Sequence, residues 1–399
     1  MNPLSSRVTR TRPAATFATA ALARSLRAAG HDVISLAIGE PDFPTPPHVI
    51  EAAHQAAIDG QTRYPPIVGT DALRGAVARK FARDQGLQVA PADVLITNGG
   101  KQAIFDAVMA VADEGDEVII PTPCWSGYIQ VVEFAGARPV FVPCPAESGF
   151  LLSAPALEAS VGARSKLLLL SYPNNPSGAV ADIGMLDGIA DVLRKHPQLR
   201  VISDDIYEHL VFDGVYTTLA ARAPDLADRI LTMSGVSKSY AMTGWRLGFC
   251  TGPRDWLDGM TVVQGSSTAG VSTISQAAAV AALDGPQDIL DERRLIYHRR
   301  SQKVFEMLAE APGLSCSRPQ GAFYAFPSVT GLLGRRTKGG RLLASDEDVA
   351  GAMLQESFVA TVPGTAFAMP GHIRLSTAAS DAVLEAACSR IVEFCKAVM

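Results

Sequence analysis

Lys166-Leu167-Leu168-Leu169-Leu170-Ser171-Tyr172-Pro173-Asn174-Asn175-Pro176 is a short, unbroken apolar run that stops abruptly in polar and rigid residues. A run of four leucines is strand-sized. Strands that read as continuous apolar stretches are buried on both faces, as in a mostly parallel sheet covered by helices. The surrounding sequence repeats the pattern. Val94-Leu95-Ile96-Thr97, Glu117-Val118-Ile119-Ile120, Val140-Phe141-Val142, Val201-Ile202, Ile230 to Met233 and Leu247 to Thr251 continue the strand series. Helical spacing fills Gln102 to Ala112 and Ser126 to Ala135 between them. Such alternation predicts an α/β architecture.

At 399 residues the chain exceeds the usual size of one core, so two domains are expected. Beyond about residue 286 the texture changes. A charged helix is predicted from Asp288 to Ala309, strands at Ala322 to Phe326 and His372 to Ser376, a Gly/Arg-rich loop from Gly331 to Arg341, and a last helix over 381–397. The expected division is an arm plus part of a small domain in 1–45, a large cofactor-binding domain in 46–290, and the rest of the small α/β domain in 291–399. The small domain would thus be built from both chain ends.

Hydrophobic residues make up 48% and charged residues 19% of the chain, the composition of a globular protein. A net charge of −5 argues against broad binding to nucleic acid. No apolar run reaches the roughly 18 residues of a membrane span. The six cysteines form no Cys-x-x-Cys pair, which fits reduced thiols in the cytoplasm. Residues 1–30 hold five arginines and no acid, a composition shared by transit peptides and by an N-terminal arm followed by a helix, Thr16 to Ala29.

In sheets of this kind ligands bind beyond the carboxyl ends of the strands. The chain has four asparagines, and three of them, Asn98, Asn174 and Asn175, follow predicted strands. Asp204 closes another strand, and Lys238 follows a fourth. Lysine is scarce here, eight against 27 arginines. Most of the others read as solvated, among them Lys80 between Arg79 and Arg83. Lys238 instead lies among small hydroxyl residues in Ser237-Lys238-Ser239-Tyr240-Ala241-Met242-Thr243-Gly244-Trp245-Arg246. An amine in a partly dry site beside a cation loses affinity for its proton, and a neutral amine attacks carbonyls. A surface lysine after a strand is the plain alternative.

Each neighbour also has two readings. Asn98-Gly99-Gly100-Lys101-Gln102 bares backbone N–H groups at a helix start, which suits a phosphate or makes a tight turn. Neither a G-x-G-x-x-G nor a P-loop pattern occurs. Arg246 could add a bidentate phosphate contact. Asp204 suits a protonated ring nitrogen or a helix cap, with Tyr207 able to reach the same place. Trp125 suits stacking on a flat ring or a place in the core. Arg374, inside an apolar strand pattern, suits a substrate carboxylate or a structural salt bridge. Taken together these parts fit pyridoxal phosphate: a planar, phosphorylated aldehyde, held by Lys238, which then moves the proton at the substrate α-carbon.

With these residues in place the chain resembles class I aminotransferases of the aspartate aminotransferase type, in the bacterial subgroup that includes aspartate/prephenate aminotransferases. The likeness runs through Gly39-Glu40-Pro41-Asp42-Phe43, Tyr64 with Gly69, Asn98 to Gln102, Pro173 to Gly178, Ser203 to Glu208, Ser237 to Gly248, Gly321 to Tyr324, and Pro363-Gly364. The resemblance implies the fold type I of pyridoxal phosphate-dependent transferases and a homodimer with shared active sites. It implies that Gly39 meets the substrate carboxylate through its backbone, and that Trp125 stacks on the cofactor. Asn175 and Tyr207 would bond the ring oxygen, Asp204 the ring nitrogen, Arg246 the phosphate and Arg374 the α-carboxylate. Gly100, Lys101 and Gln102 would cradle the phosphate, with Lys101 also reaching a distal acidic group. Tyr64 would reach the phosphate in the neighbouring subunit. The arm from Ser6 to Thr16 also follows the family, which argues against cleavage and leaves no room for an added DNA-binding module.

There are departures. Prephenate-accepting members usually carry lysine where this chain has Arg12, although Thr16 matches. The segment Gln264 to Gly270, and Cys124 and Ser126 around Trp125, also differ from the commoner forms. The expectation is therefore an aminotransferase acting on aspartate or glutamate with an acceptor such as 2-oxoglutarate. The alternatives are aromatic or neutral donors, or β-elimination on the same scaffold.

Overall fold

The computed structural model describes residues 4–11 and 15–398. Arg12 lies outside the described residues, as does the side chain of Thr16. The strands in chain order are β1 (Ile34–Ser35), β2 (Val94–Thr97), β3 (Glu117–Thr122), β4 (Arg138–Pro143), β5 (Ser165–Ser171), β6 (Arg200–Asp204), β7 (Ile230–Gly235), β8 (Gly248–Thr251), β9 (Tyr324–Ala325), β10 (Val359–Ala360), β11 (Val362–Pro363) and β12 (Ile373–Ser376).

Seven of them form one sheet in the order β2-β8-β7-β6-β5-β3-β4. Only β8 runs against the others, pairing antiparallel with β2 and β7. The leucine run explains itself in β5. Leu167 and Leu169 pack with Val118, Ile120, Ile202 and Leu231 on one face. Leu168 and Leu170 pack with Ile119, Leu186, Ile189 and Val201 on the other. Each is at most 4% exposed, and burying one such side chain contributes about 1.5–3 kcal/mol. The strand therefore needs leucine on both faces, which removes any alternation.

Helices Gly100–Val111, Ser126–Ala135 and Ile183–Lys195 lie between these strands in sequence. The last is capped at its start, where Asp182 accepts from the Met185 N–H at 2.7 Å. Helices Pro47–Ile58, Asp71–Gln85, Arg254–Ser267 and Thr273–Asp284 add cover that strand periodicity gave no reason to expect.

A further core joins Leu36 near the start of the chain to Val304, Leu308, Ala325, Val359, Leu375 and Ile391. Here β1 pairs in parallel with β10, and β12 lies between β11 and β9. This packing of distant segments sets Gly39, just after β1, and Arg374, in β12, into one cavity with the strand ends of the large sheet. The charged helix spans Asp288–Leu308 and the last helix Asp381–Ala397. Among the described residues no helix is long and apolar enough to cross a membrane. All six cysteines are free.

Candidate active site

The carboxyl ends of β2, β5, β6 and β7 lead to Gly100, Asn175, Asp204 and Lys238 at a cavity of about 530 Å³, whose lining does not include Asn98. Ten of the twelve residues named from the sequence line it: Gly39, Gly100, Lys101, Trp125, Asn175, Asp204, Tyr207, Lys238, Arg246 and Arg374. Two do not. Tyr64 is 99% exposed on its own chain. Gln102 has its side chain engaged elsewhere, accepting from the Asn98 N–H at 2.7 Å and donating to Thr268 Oγ1 at 2.5 Å.

Lys238 Nζ donates to the Gly39 carbonyl at 2.7 Å. Burial, then the nearby Arg374 cation, pushes its amine down to about 8. The solvated surface lysine is thereby excluded. Arg374 is 4% exposed and donates to Asn175 Oδ1 at 2.9 Å and to the Ala37 carbonyl at 2.6 Å. Its guanidinium lies over Tyr324 and Phe367, at 4.6 and 4.9 Å from the ring centres. No carboxylate pairs with it among the described residues, and its Nε is buried without a partner. Burial lowers its pKa. A buried cation with no counter-charge among the described residues and a spare donor is suited to a carboxylate.

Asp204 is 6% exposed at the end of β6. Its Oδ2 accepts from the Tyr128 hydroxyl at 2.5 Å and its Oδ1 from the Ile206 N–H at 3.2 Å. Burial pushes the carboxyl up to about 6, and the two donated bonds pull the other way. A cation placed against it would favour the ionised form. The Tyr207 and Tyr324 hydroxyls are hydrogen-bonded at 2.6 Å, with either able to donate.

The turn between β2 and the helix Gly100–Val111 depends on Gly99, whose φ is +83°. A Cβ there would stand 2.7 Å from Arg246 Nη2. The backbone N–H groups of Gly100 and Lys101 have no acceptor among the described residues. Arg246 donates to the Thr243 carbonyl at 2.9 Å and makes no ion pair among them. Bare N–H groups at a helix start beside a guanidinium fit an anion such as a phosphate. Trp125 stands at the wall, edge-on to Tyr128 and 5.7 Å from Lys101 Nζ. The described donors therefore fit pyridoxal phosphate group by group: an amine for the aldehyde, a carboxylate for the ring nitrogen, and an anion cradle.

The sequence model for aminotransferase class I and II matches residues 31–391. The chain belongs to the class I and II aminotransferase family. Class I aminotransferases depend on pyridoxal phosphate, and this aminotransferase exchanges an amino group between an amino acid and a 2-oxo acid. It is 44% identical to an aspartate/prephenate aminotransferase of Cereibacter sphaeroides, over 98% of each chain. The crystal structure of the aspartate aminotransferase from Rhizobium meliloti superposes with a TM-score of 0.97 at 42% identity, covering 100% of both chains. That of the Thermus thermophilus aspartate aminotransferase with maleate gives 0.92 at 38% identity, covering 99% of this chain and 100% of that one. The aminotransferase therefore has fold type I, as expected.

Two residues of the site, Tyr128 and Tyr324, and one behind it, Lys80, play parts that the sequence reading does not give them. Tyr128 supports Asp204 from a helix 76 residues earlier. Tyr324, at the end of the segment Gly321 to Tyr324, touches both Tyr207 and Arg374. Lys80 was read as solvated, which is wrong: it is 1% exposed, 2.5 Å from Glu208 Oε2. Its spacing from Leu73, Ala76 and Val77 carried the signal, since those positions form the buried stripe of the helix Asp71–Gln85.

Proposed function

We propose that the cavity holds pyridoxal phosphate covalently at Lys238 and that the preferred amino donor is aspartate or glutamate, with a 2-oxo acid such as 2-oxoglutarate as acceptor. The observation that carries this reading is the convergence in one cavity of a lysine whose hold on its proton is weakened and a buried arginine that no carboxylate pairs among the described residues. In this reading Gly100, Lys101 and Arg246 hold the phosphate. Trp125 stacks on the ring, Asn175 and Tyr207 hold its oxygen, and Asp204 keeps the ring nitrogen protonated. When bound, the cofactor withdraws the electron pair left on the substrate α-carbon.

The chain's own groups do the rest. Arg374 and the Gly39 backbone fix the α-carboxylate, which orients the α-hydrogen. Lys238, released by the incoming amine, takes that proton and returns it. The aromatic walls around Arg374 strengthen its hold by excluding water. Lys101 makes no ion pair among the described residues and stands beside Trp125, which supports an acidic substrate side chain. The relatives named above as aspartate aminotransferases support the same choice. Tyr64, fully exposed and absent from its own cavity, supports a homodimer in which it serves the partner's phosphate. Free cysteines support a cytoplasmic setting.

The test mixes the purified yellow protein with a panel of amino acids and follows the cofactor's visible absorbance. Aspartate and glutamate should bleach it, and Lys238→Ala should abolish covalent attachment and turnover. Multiple turnover by Lys238→Ala without added amine would refute the reading.

A further inference from the structure

The charges around the cavity do not balance for a substrate with one carboxylate. Its wall carries the basic side chains Arg24, Lys101, Lys238, Arg246 and Arg374 against a single carboxylate, Asp204. On the reading proposed above, which this inference presupposes, Lys238 is taken by the cofactor, Arg246 by phosphate and Arg374 by the α-carboxylate. Lys101 and Arg24 remain.

Arg24 lies on the N-terminal helix Ala15–Ala28. Its neighbour Ala23 is 2% exposed and seats the helix in the core with Val33 and Ala37. One residue on, about 100° around the helix axis, Arg24 faces the mouth of the cavity beside Ile38. Arg27 of the same helix is structurally engaged, donating through Nε and Nη2 to the Val33 carbonyl at 3.0 and 2.9 Å. Arg24 has no hydrogen-bond or ion-pair partner among the described residues. A long cation held at a cavity mouth by a packed helix, with nothing of its own to bind, is disposed toward a ligand.

We infer that Arg24 binds the distal carboxylate of dicarboxylic substrates together with Lys101, and so sets the preference for acidic over neutral side chains. The guanidinium fork matches a carboxylate in two parallel bonds, which a single ammonium does not offer. Lys101 approaches from the start of the helix Gly100–Val111 and Arg24 from the N-terminal helix. The distal group would be held between two elements, and acidic substrates would draw the N-terminal helix onto the cavity.

The test compares Arg24→Leu and Arg24→Lys with the unsubstituted holoenzyme. Two quantities are read: the ratio of kcat/KM for aspartate to that for alanine, and the Kd for succinate, a dicarboxylate that cannot react, by calorimetry. Loss of one charge-assisted contact predicts that Arg24→Leu lowers the ratio about tenfold and weakens succinate about tenfold, while Arg24→Lys recovers most of both. An equal loss for aspartate and alanine overturns the inference, because the helix would then act only as a cover. An unchanged ratio overturns it as well, leaving Lys101 as the sole distal cation. If the unsubstituted enzyme itself shows no preference for dicarboxylates, the substrate reading above fails, and that result needs no variant.

Discussion

Cofactor-free protein mixed with pyridoxal phosphate should be labelled at Lys238 at a rate that climbs about tenfold per pH unit and levels off near pH 8. The attacking form is the neutral amine. Burial and the Arg374 cation lower the Lys238 pKa from 10.5 to about 8. At pH 7 an amine of pKa about 8 is about one-tenth neutral, whereas one of 10.5 is neutral in about three parts in ten thousand, a difference of about 300-fold. The sign follows directly: below the plateau each unit of acid removes nine-tenths of the reactive form, and above it nothing more is gained. The rate is followed from about pH 6.5 to about pH 10 by trapping with borohydride and locating the label by peptide mapping. Arg374→Met removes a cation that favours the neutral form, so its plateau should move to higher pH. A rate still rising through pH 10, or a label spread over several lysines, would refute the argument that the cavity tunes this amine.

Two further outcomes follow from the same geometry. Arg374→Ala should lower kcat/KM for every donor, aspartate and alanine alike, by about 10- to 100-fold, the cost of a lost charge-assisted contact of about 1.5–3 kcal/mol; unchanged KM values would make this arginine structural. Tyr128→Phe removes the hydroxyl that donates to Asp204 at 2.5 Å, so the carboxyl, already raised to about 6 by burial, should rise by roughly one to two pH units. Because the ionised carboxylate is the form that pairs with a ring nitrogen, the acid limb of the kcat/KM profile should move up with it. An acid limb that stays in place would show that Tyr128 does not support Asp204.

What could be read from the sequence was what is local in it. The leucines of β5 announce a doubly covered strand, and the asparagines, Asp204 and Lys238 announce themselves by falling at strand ends. Helix and strand types follow from spacing over ten or so residues. The contacts that complete the site span the chain instead. Arg374 reaches the Ala37 carbonyl across 337 positions, and Lys80 reaches Glu208 across 128. The tripeptide Arg79-Lys80-Phe81 alone does not separate a buried lysine from its exposed arginine neighbour; only the helical spacing back to Leu73, Ala76 and Val77 does. The same holds for Arg24. It belongs to an unremarkable stretch of alanines and arginines until the helix is set at the cavity mouth.

The polar groups around Asp204 divide into a satisfied rear and an unsatisfied front, and the division has a physical purpose. Behind the segment, Glu208 accepts from Lys80 and Gln85 on one oxygen and from Ser234 on the other. Beside it, Asp205 accepts from Ser203 at 2.7 Å. These bonds clamp the chain that bears Asp204 and Tyr207. In front, among the described residues, Arg374 has no carboxylate partner, its Nε has no acceptor, and the N–H groups of Gly100 and Lys101 have none. Unpaired buried groups destabilise the bare protein. The clamp behind, and the aromatic rings of Tyr324 and Phe367 around the guanidinium, hold these groups in place. A ligand carrying a ring cation and several anions would satisfy the front, so on the proposed reading the groups that weaken the bare fold would also hold and orient cofactor and substrate.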